Sequence, residues 1–153
     1  MTDLYRTQAP RVVRWTDSDG SGDDPGPREA LVPMSRDQAA HYVALKWELT
    51  AACPQTTVTA VGFKAIPAET VRFALTKAQL GDEAFVQEET TWNGGPTAPS
   101  ASPDAGERAY TMFVRVGGVL IIYGDFPSKA AAVAAGTKAT AHARDVLLKA
   151  VGG

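Results

Sequence analysis

The stretch YTMFVRVGGVLIIY, residues 110–123, decides the fold that the sequence predicts. Two runs rich in β-branched and aromatic residues flank Gly117 and Gly118, a pattern typical of a hairpin with a two-residue turn. Such a turn fixes the register, so Val116 faces Val119 and the further pairs follow. One face of the hairpin then carries Met112, Val114, Val116, Val119, Ile121 and Tyr123. We expect this face to pack beneath helices.

The opposite face of the hairpin carries Phe113, Leu120 and Ile122. Because these side chains are too apolar to be left in water, we expect something to cover them. The cover could be the N-terminal segment, through Trp15 or Leu31. A partner chain or a bound ligand are the alternatives.

Helices are expected on both sides of the strand-forming region. Ser35 and Gln38 form a capping-box pattern, and Cys53-Pro54 ends the helix that begins there. An alanine-rich helix is predicted over 129–151, after the hairpin. Strand patterns occupy the segments 55–66, 71–75, 85–92, 110–116 and 119–123.

This order of elements predicts an α+β fold, with an antiparallel sheet of about five strands and two long helices packed on one face. The 153 residues leave room for one compact domain. We expect that domain to span residues 35–153. An extended, partly disordered N-terminal segment, residues 1–34, precedes it.

Composition excludes several classes of function. The net charge of -2 gives no basic surface for nucleic acid. No apolar run reaches the roughly 20 residues of a membrane span. One cysteine and two histidines predict no metal centre, and no cofactor motif is present. The acidic loop 17–24 begins like an EF-hand calcium loop, but Arg28 stands at the twelfth position, which favours a solvated linker.

The candidate ligand site is the second face of the hairpin. Phe113, Leu120 and Ile122 would form its walls, and Arg115 would orient a polar or anionic group. Trp92 would reach the site from the rim, since it ends a strand beside a Gly- and Pro-rich loop. The expected activity is non-enzymatic binding of a small molecule or a protein, with no catalytic residue.

Two other functions stay open at this point. The same apolar face could form a homodimer or another protein interface, which Leu120→Glu would disrupt. A small cone-shaped α+β enzyme, an isomerase or hydrolase, could use Glu88 with His41 or His142. That enzyme hypothesis depends on fold analogy alone.

Two segments carry a resemblance to a known family: LGDEAF, residues 80–85, and VRVGGVL, residues 114–120. They resemble the strand entry and the hairpin of bacterial extracytoplasmic sensor domains. That group includes the outer domains of certain receptor serine/threonine kinases and free-standing lipoprotein-like relatives. The resemblance implies an α+β domain with a cleft between helices and sheet, a sensing or ligand-binding role, and an extracytoplasmic location. It implies no catalytic residues.

Overall fold

A computed structural model describes residues 12–15, 28–58, 68–94 and 106–151. This part of the chain forms one antiparallel sheet and two α-helices, which confirms the α+β class. The elements in chain order are β1 (Val12–Trp15), β2 (Arg28–Pro33), α1 (Arg36–Ala52), β3 (Gln55–Val58), β4 (Glu69–Ala78), β5 (Glu83–Asn93), β6 (Glu107–Val116), β7 (Val119–Phe126) and α2 (Lys129–Val151). The strand order across the sheet is β1-β2-β7-β6-β5-β4-β3.

The β6–β7 hairpin has the register that its glycine turn predicts. Val116 pairs with Val119, and Phe113 pairs with Ile122. Gly117 has a φ of +58°, the left-handed value that a type II′ turn requires at its first central position. The ladder becomes irregular only between Tyr110 and Met112, far from the turn.

The sheet extends beyond the strands expected after the first helix. β2 pairs with β7 along its whole length, and β1 pairs with β2. Part of the segment 1–34, which we expected to precede the domain, therefore belongs to the sheet. The acidic loop 17–24 lies outside the described residues. The segment 55–66 was expected to form the first strand after α1, and only its first part, β3, is described.

Helix α1 begins and ends where its sequence predicts. The Ser35 hydroxyl accepts a hydrogen bond from the Gln38 N–H at 3.2 Å, and the Gln38 side-chain oxygen accepts one from the Ser35 N–H at 3.0 Å. This reciprocal pair is the capping box. At the other end the Cys53 N–H bonds to the Leu49 carbonyl at 3.0 Å, just before Pro54.

The two helices lie on opposite faces of the sheet, which corrects the expectation that both pack on one face. Ala132 of α2 packs in one cluster with Met112 and Val114. Val43 of α1 packs in another cluster with Phe113. Because neighbouring residues of a strand point to opposite faces, Phe113 and Val114 place these clusters on opposite sides. Both faces of the hairpin are apolar, so each needs a helix to cover it.

The face covered by α2 is closely packed. Small residues dominate the contact side of this helix, and a Cβ at Gly136 would lie 2.9 Å from the Met112 Cγ and 3.3 Å from the Leu80 Cδ1. Neither described helix is both long and apolar enough to cross a membrane.

Candidate functional site

Arg115 is held by acidic residues at the turn between β4 and β5. Its Nη1 lies 3.3 Å from the Asp82 Oδ2, and its Nε lies 3.6 Å from the Glu83 Oε2. The Arg115 side chain is 19% exposed. Since two carboxylates already neutralise this guanidinium, Arg115 is not free to orient an anionic ligand, as the sequence had suggested.

The same corner joins the two segments that resemble the sensor domains. The Asp82 carboxylate accepts a hydrogen bond from the Gly117 N–H at 2.7 Å, and the Asp82 N–H donates to the Arg115 carbonyl at 2.8 Å. Arg144 of α2 donates to the Gly81 carbonyl at 3.0 Å. These contacts fix the β4–β5 turn against the β6–β7 turn, so both segments have a structural role.

The expected walls of the cleft are core residues. Phe113 is 5% exposed and Leu120 is 1% exposed, and both pack with Val43 of α1. Ile122 is partly buried at the edge of this cluster. Helix α1 therefore covers the face that we expected to form an open cleft, and Phe113 and Leu120 cannot serve as its walls.

Val32 and Met34 of the expected N-terminal segment also pack against this cluster, and the side chain of Trp15 lies outside the described part of the structure. Leu31 does not contribute to the cover. This residue pairs with Ile121 and packs on the α2 side of the sheet. The dimer alternative relied on the same apolar face, which α1 now occupies. Leu120→Glu would therefore disturb the core of the monomer before it could report on an interface.

Trp92 lies on the other side of the sheet from Phe113. Val86 of the same strand packs on the α2 side of the sheet, and Trp92 follows it by six residues, so both side chains point to that side. In the neighbouring strand β4, Trp92 pairs with Thr70. The guanidinium of Arg72 lies 5.2 Å from the centre of its ring. Trp92 is 7% exposed, and its buried indole N–H has no hydrogen-bond partner among the described residues. The structure does not bring Trp92 together with the other predicted site residues.

The residues of the enzyme hypothesis do not converge. His41 is exposed on α1, whereas Glu88 points to the α2 face and lies 3.8 Å from Arg108. His142 is exposed on α2. Among the described residues, no group of three or more His, Cys, Asp or Glu side chains is placed to hold a metal ion.

A cavity lies between α1 and the β4–β5 hairpin, and we call it the α1 pocket. Its volume is about 310 Å³. Helix α1 contributes one wall, and the ends of β4 and β5 contribute the other. The lining residues are Val43, Ala44, Trp47, Glu48, Lys77, Ala78, Glu83, Ala84 and Phe85.

The α1 pocket combines an aromatic floor with a charged rim. The rings of Trp47 and Phe85 meet edge to face, with centroids 5.5 Å apart. The ammonium of Lys77 lies 5.6 Å from the centre of the Trp47 ring, a cation–π distance. Glu48 and Glu83 add carboxylates at the rim. Aromatic surface with a few polar groups is the usual make-up of a small-molecule site.

Two residues predicted from the sequence lie directly behind this pocket. Phe113 stacks on Phe85 with centroids 4.7 Å apart, and Arg115 pairs with Glu83. These two predicted residues therefore support the pocket and do not line it. Trp47 follows Val43 at a helical spacing of four residues, which is typical of a core position and does not mark a pocket residue. The signal for Lys77 lay in the β4–β5 register, which places it opposite Phe85.

None of the protein-family models, curated proteins or solved structures with which the chain was compared matches it. The fold and the site together define a seven-stranded α+β domain, as far as the structure describes the chain, with a small aromatic pocket beneath one helix.

Proposed function

We propose that the protein is a non-enzymatic sensor or small-ligand-binding domain that holds its ligand in the α1 pocket. The observation that carries this proposal is the cavity of about 310 Å³ with its aromatic floor and charged rim. Ligand pockets in proteins occupy roughly 300–1,000 Å³, so a cavity of this size suits a small molecule rather than a peptide.

The walls of the α1 pocket are held in place before any ligand binds. The capping box at Ser35 fixes the start of α1, and the Met34 N–H bonds to the Gly118 carbonyl at 2.8 Å. On the opposite wall, Arg115 pairs with Glu83 at the start of β5. A preformed site loses less conformational entropy on binding, which favours affinity.

The resemblance of residues 80–85 and 114–120 to extracytoplasmic sensor domains implies the same kind of role. In this proposal those segments do not touch the ligand through Arg115. They join the β4–β5 turn to the hairpin and so set the position of Glu83 and Phe85 in the pocket wall. An extracytoplasmic location remains part of the proposal.

Filling the pocket tests the proposed function. Ala44 is an exposed alanine of α1 that lines the cavity, so Ala44→Trp should occlude it. Ala134→Trp, at an exposed alanine of α2, is the matched control. We expect fragments found by ligand-observed NMR to bind Ala44→Trp at least about tenfold more weakly than the wild type, and to bind Ala134→Trp normally.

Two results would contradict the proposal: fragments that bind both tryptophan variants equally, and a library in which nothing binds the wild-type protein. Native mass spectrometry of the purified chain adds an independent measurement. A monomer with extra mass supports ligand binding, and a dimer without extra mass favours the interaction module instead.

A further inference from the structure

The α1 pocket carries opposite charges that do not neutralise each other. Its ionisable lining residues are Glu48, Lys77 and Glu83. Glu83 is already paired with Arg115 at 3.6 Å. Among the residues that the structure describes, neither Glu48 nor Lys77 forms an ion pair, with each other or with another residue. One carboxylate and one ammonium therefore remain for a ligand.

Such a charge pattern selects against ligands with one charge. A simple amine would be attracted by Glu48 and repelled by Lys77, and a simple carboxylate would experience the reverse. A molecule with both charges can satisfy both groups, and each attraction is stronger beside an apolar floor than in bulk water. Repulsion of the wrong charge adds to this discrimination.

The floor of the pocket determines the rest of the ligand. Val43 and Phe85 are almost completely buried, so the accessible aromatic surface is the partly buried Trp47 ring, which stands edge to face against Phe85. An aromatic or aliphatic group would displace water from the exposed part of the Trp47 ring and gain contact with it. The Lys77 ammonium lies above the Trp47 ring, so a carboxylate bound to Lys77 would leave the rest of the ligand close to the aromatic floor.

We infer that the ligand of the α1 pocket is a small zwitterion with an apolar body, such as an amino acid with an aromatic or aliphatic side chain. Its ammonium pairs with Glu48, its carboxylate pairs with Lys77, and its apolar part lies on the Trp47 ring. This inference rests on the proposed function, because it names the class of ligand for the same pocket.

Isothermal titration calorimetry with four probes tests the inference. L-phenylalanine and 4-(aminomethyl)benzoate are zwitterions with short and long charge separations. Phenethylamine lacks the carboxylate, and 3-phenylpropionate lacks the ammonium. We expect at least one zwitterion to bind at least about tenfold more tightly than both singly charged probes.

Two variants assign the charges. Lys77→Met keeps an apolar stem and removes the ammonium, so the preferred zwitterion should bind it only as tightly as phenethylamine binds the wild type. In Glu48→Gln, the same zwitterion should bind only as tightly as 3-phenylpropionate binds the wild type. Lys138→Met, at an exposed lysine of α2, is the control and should leave binding unchanged.

The outcomes separate this inference from the proposed function. If a singly charged probe binds as tightly as both zwitterions and Ala44→Trp weakens it, the pocket binds ligands but the zwitterion inference is overturned. If none of the four probes binds, the zwitterion inference is also overturned. The fragment screen then decides independently whether the pocket binds any ligand. Equal affinity in Lys77→Met and wild type would likewise overturn the inference.

Discussion

The two faces of the sheet are covered by helices of different character. On the α2 face, Met112, Val114 and Ile121 have no exposed surface, and alanines with Gly136 let the helix approach the strands closely. On the α1 face, the contacts come from large side chains, above all Trp47 against Phe85. The cavity of about 310 Å³ lies beside these two rings.

This difference in packing distinguishes the two faces of one small domain. The α2 face is closely packed where Gly136 meets Met112 and Leu80. The α1 face is core at one end, where Val43 meets Leu120, and pocket at the other. Substitutions on the α2 face should therefore change stability without changing the pocket, whereas substitutions on the α1 face can change both.

The largest effect is expected from Phe85→Ala. This side chain is 1% exposed and contacts both Trp47 and Phe113, so its loss leaves a cavity at the centre of the α1 face. We expect the free energy of unfolding to fall by about 3–5 kcal/mol, measured by chemical denaturation. Phe73 points to the same face, but it is partly exposed and lies outside the cluster that contains Phe85. Phe73→Ala should therefore lower the free energy of unfolding clearly less. Equal losses would contradict the packing described for α1.

Gly136→Leu tests the close packing of the α2 face. Because a Cβ there would already lie 2.9 Å from the Met112 Cγ, a leucine must push the helix away from the sheet. Overpacking of this kind costs about 1–3 kcal/mol of stability. Ala134→Leu, on the exposed side of the same helix, should be close to neutral in thermal denaturation. A stable Gly136→Leu variant would show that α2 is as loosely packed as α1.

The two N-caps offer a matched pair with smaller effects. The Ser35 hydroxyl accepts the Gln38 N–H, and the Ser128 hydroxyl accepts the Ala131 N–H, both at 3.2 Å. Replacing either serine by alanine should lower the free energy of unfolding by about 0.5–2 kcal/mol, measured by chemical denaturation. Only Ser35→Ala should also weaken fragment binding, because only α1 borders the pocket. Weaker binding after Ser128→Ala would argue that the faces are coupled.

The smallest change is a gain in stability on the α2 face. Thr140 is buried, and its hydroxyl has no hydrogen-bond partner within the part of the chain that the structure describes. Thr140→Val keeps the shape and removes the unsatisfied group, so we expect a gain of about 0.5–1 kcal/mol in denaturant unfolding. Thr137 is exposed, and its hydroxyl bonds to the Val133 carbonyl at 2.8 Å, so Thr137→Val should give no gain. Loss of stability in Thr140→Val would mean that its hydroxyl does find a partner.

Local features of the fold could be predicted from the sequence, because a few adjacent residues determine them. The turn at Gly117 fixed the hairpin register, and Ser35 with Gln38 fixed the start of α1. Which face of the sheet each helix covers could not be predicted, because the apolar side of either helix can pack on either apolar face. Only tertiary packing decides that Val43 lies over Phe113.

The pocket was harder to predict than the fold for a related reason. Its walls come from α1 and from β4 and β5, so Trp47 and Lys77 meet across 30 positions of sequence. Neither residue belongs to a sequence motif that indicates a binding site. In the sequence, Arg115 is the cation on the second hairpin face, which predicts a role in ligand binding. Only the fold brings the Asp82 and Glu83 carboxylates beside it.

The most direct test of the account is to map where a ligand binds. The ¹⁵N-labelled protein would be titrated with the tightest fragment from the screen and followed by two-dimensional NMR. We expect the largest shifts at the Trp47 indole N–H and at the backbone amides of the pocket-lining residues in α1, β4 and β5, with α2 unchanged. A titration that shifts the amides of α2 and leaves the Trp47 indole unchanged would contradict the account.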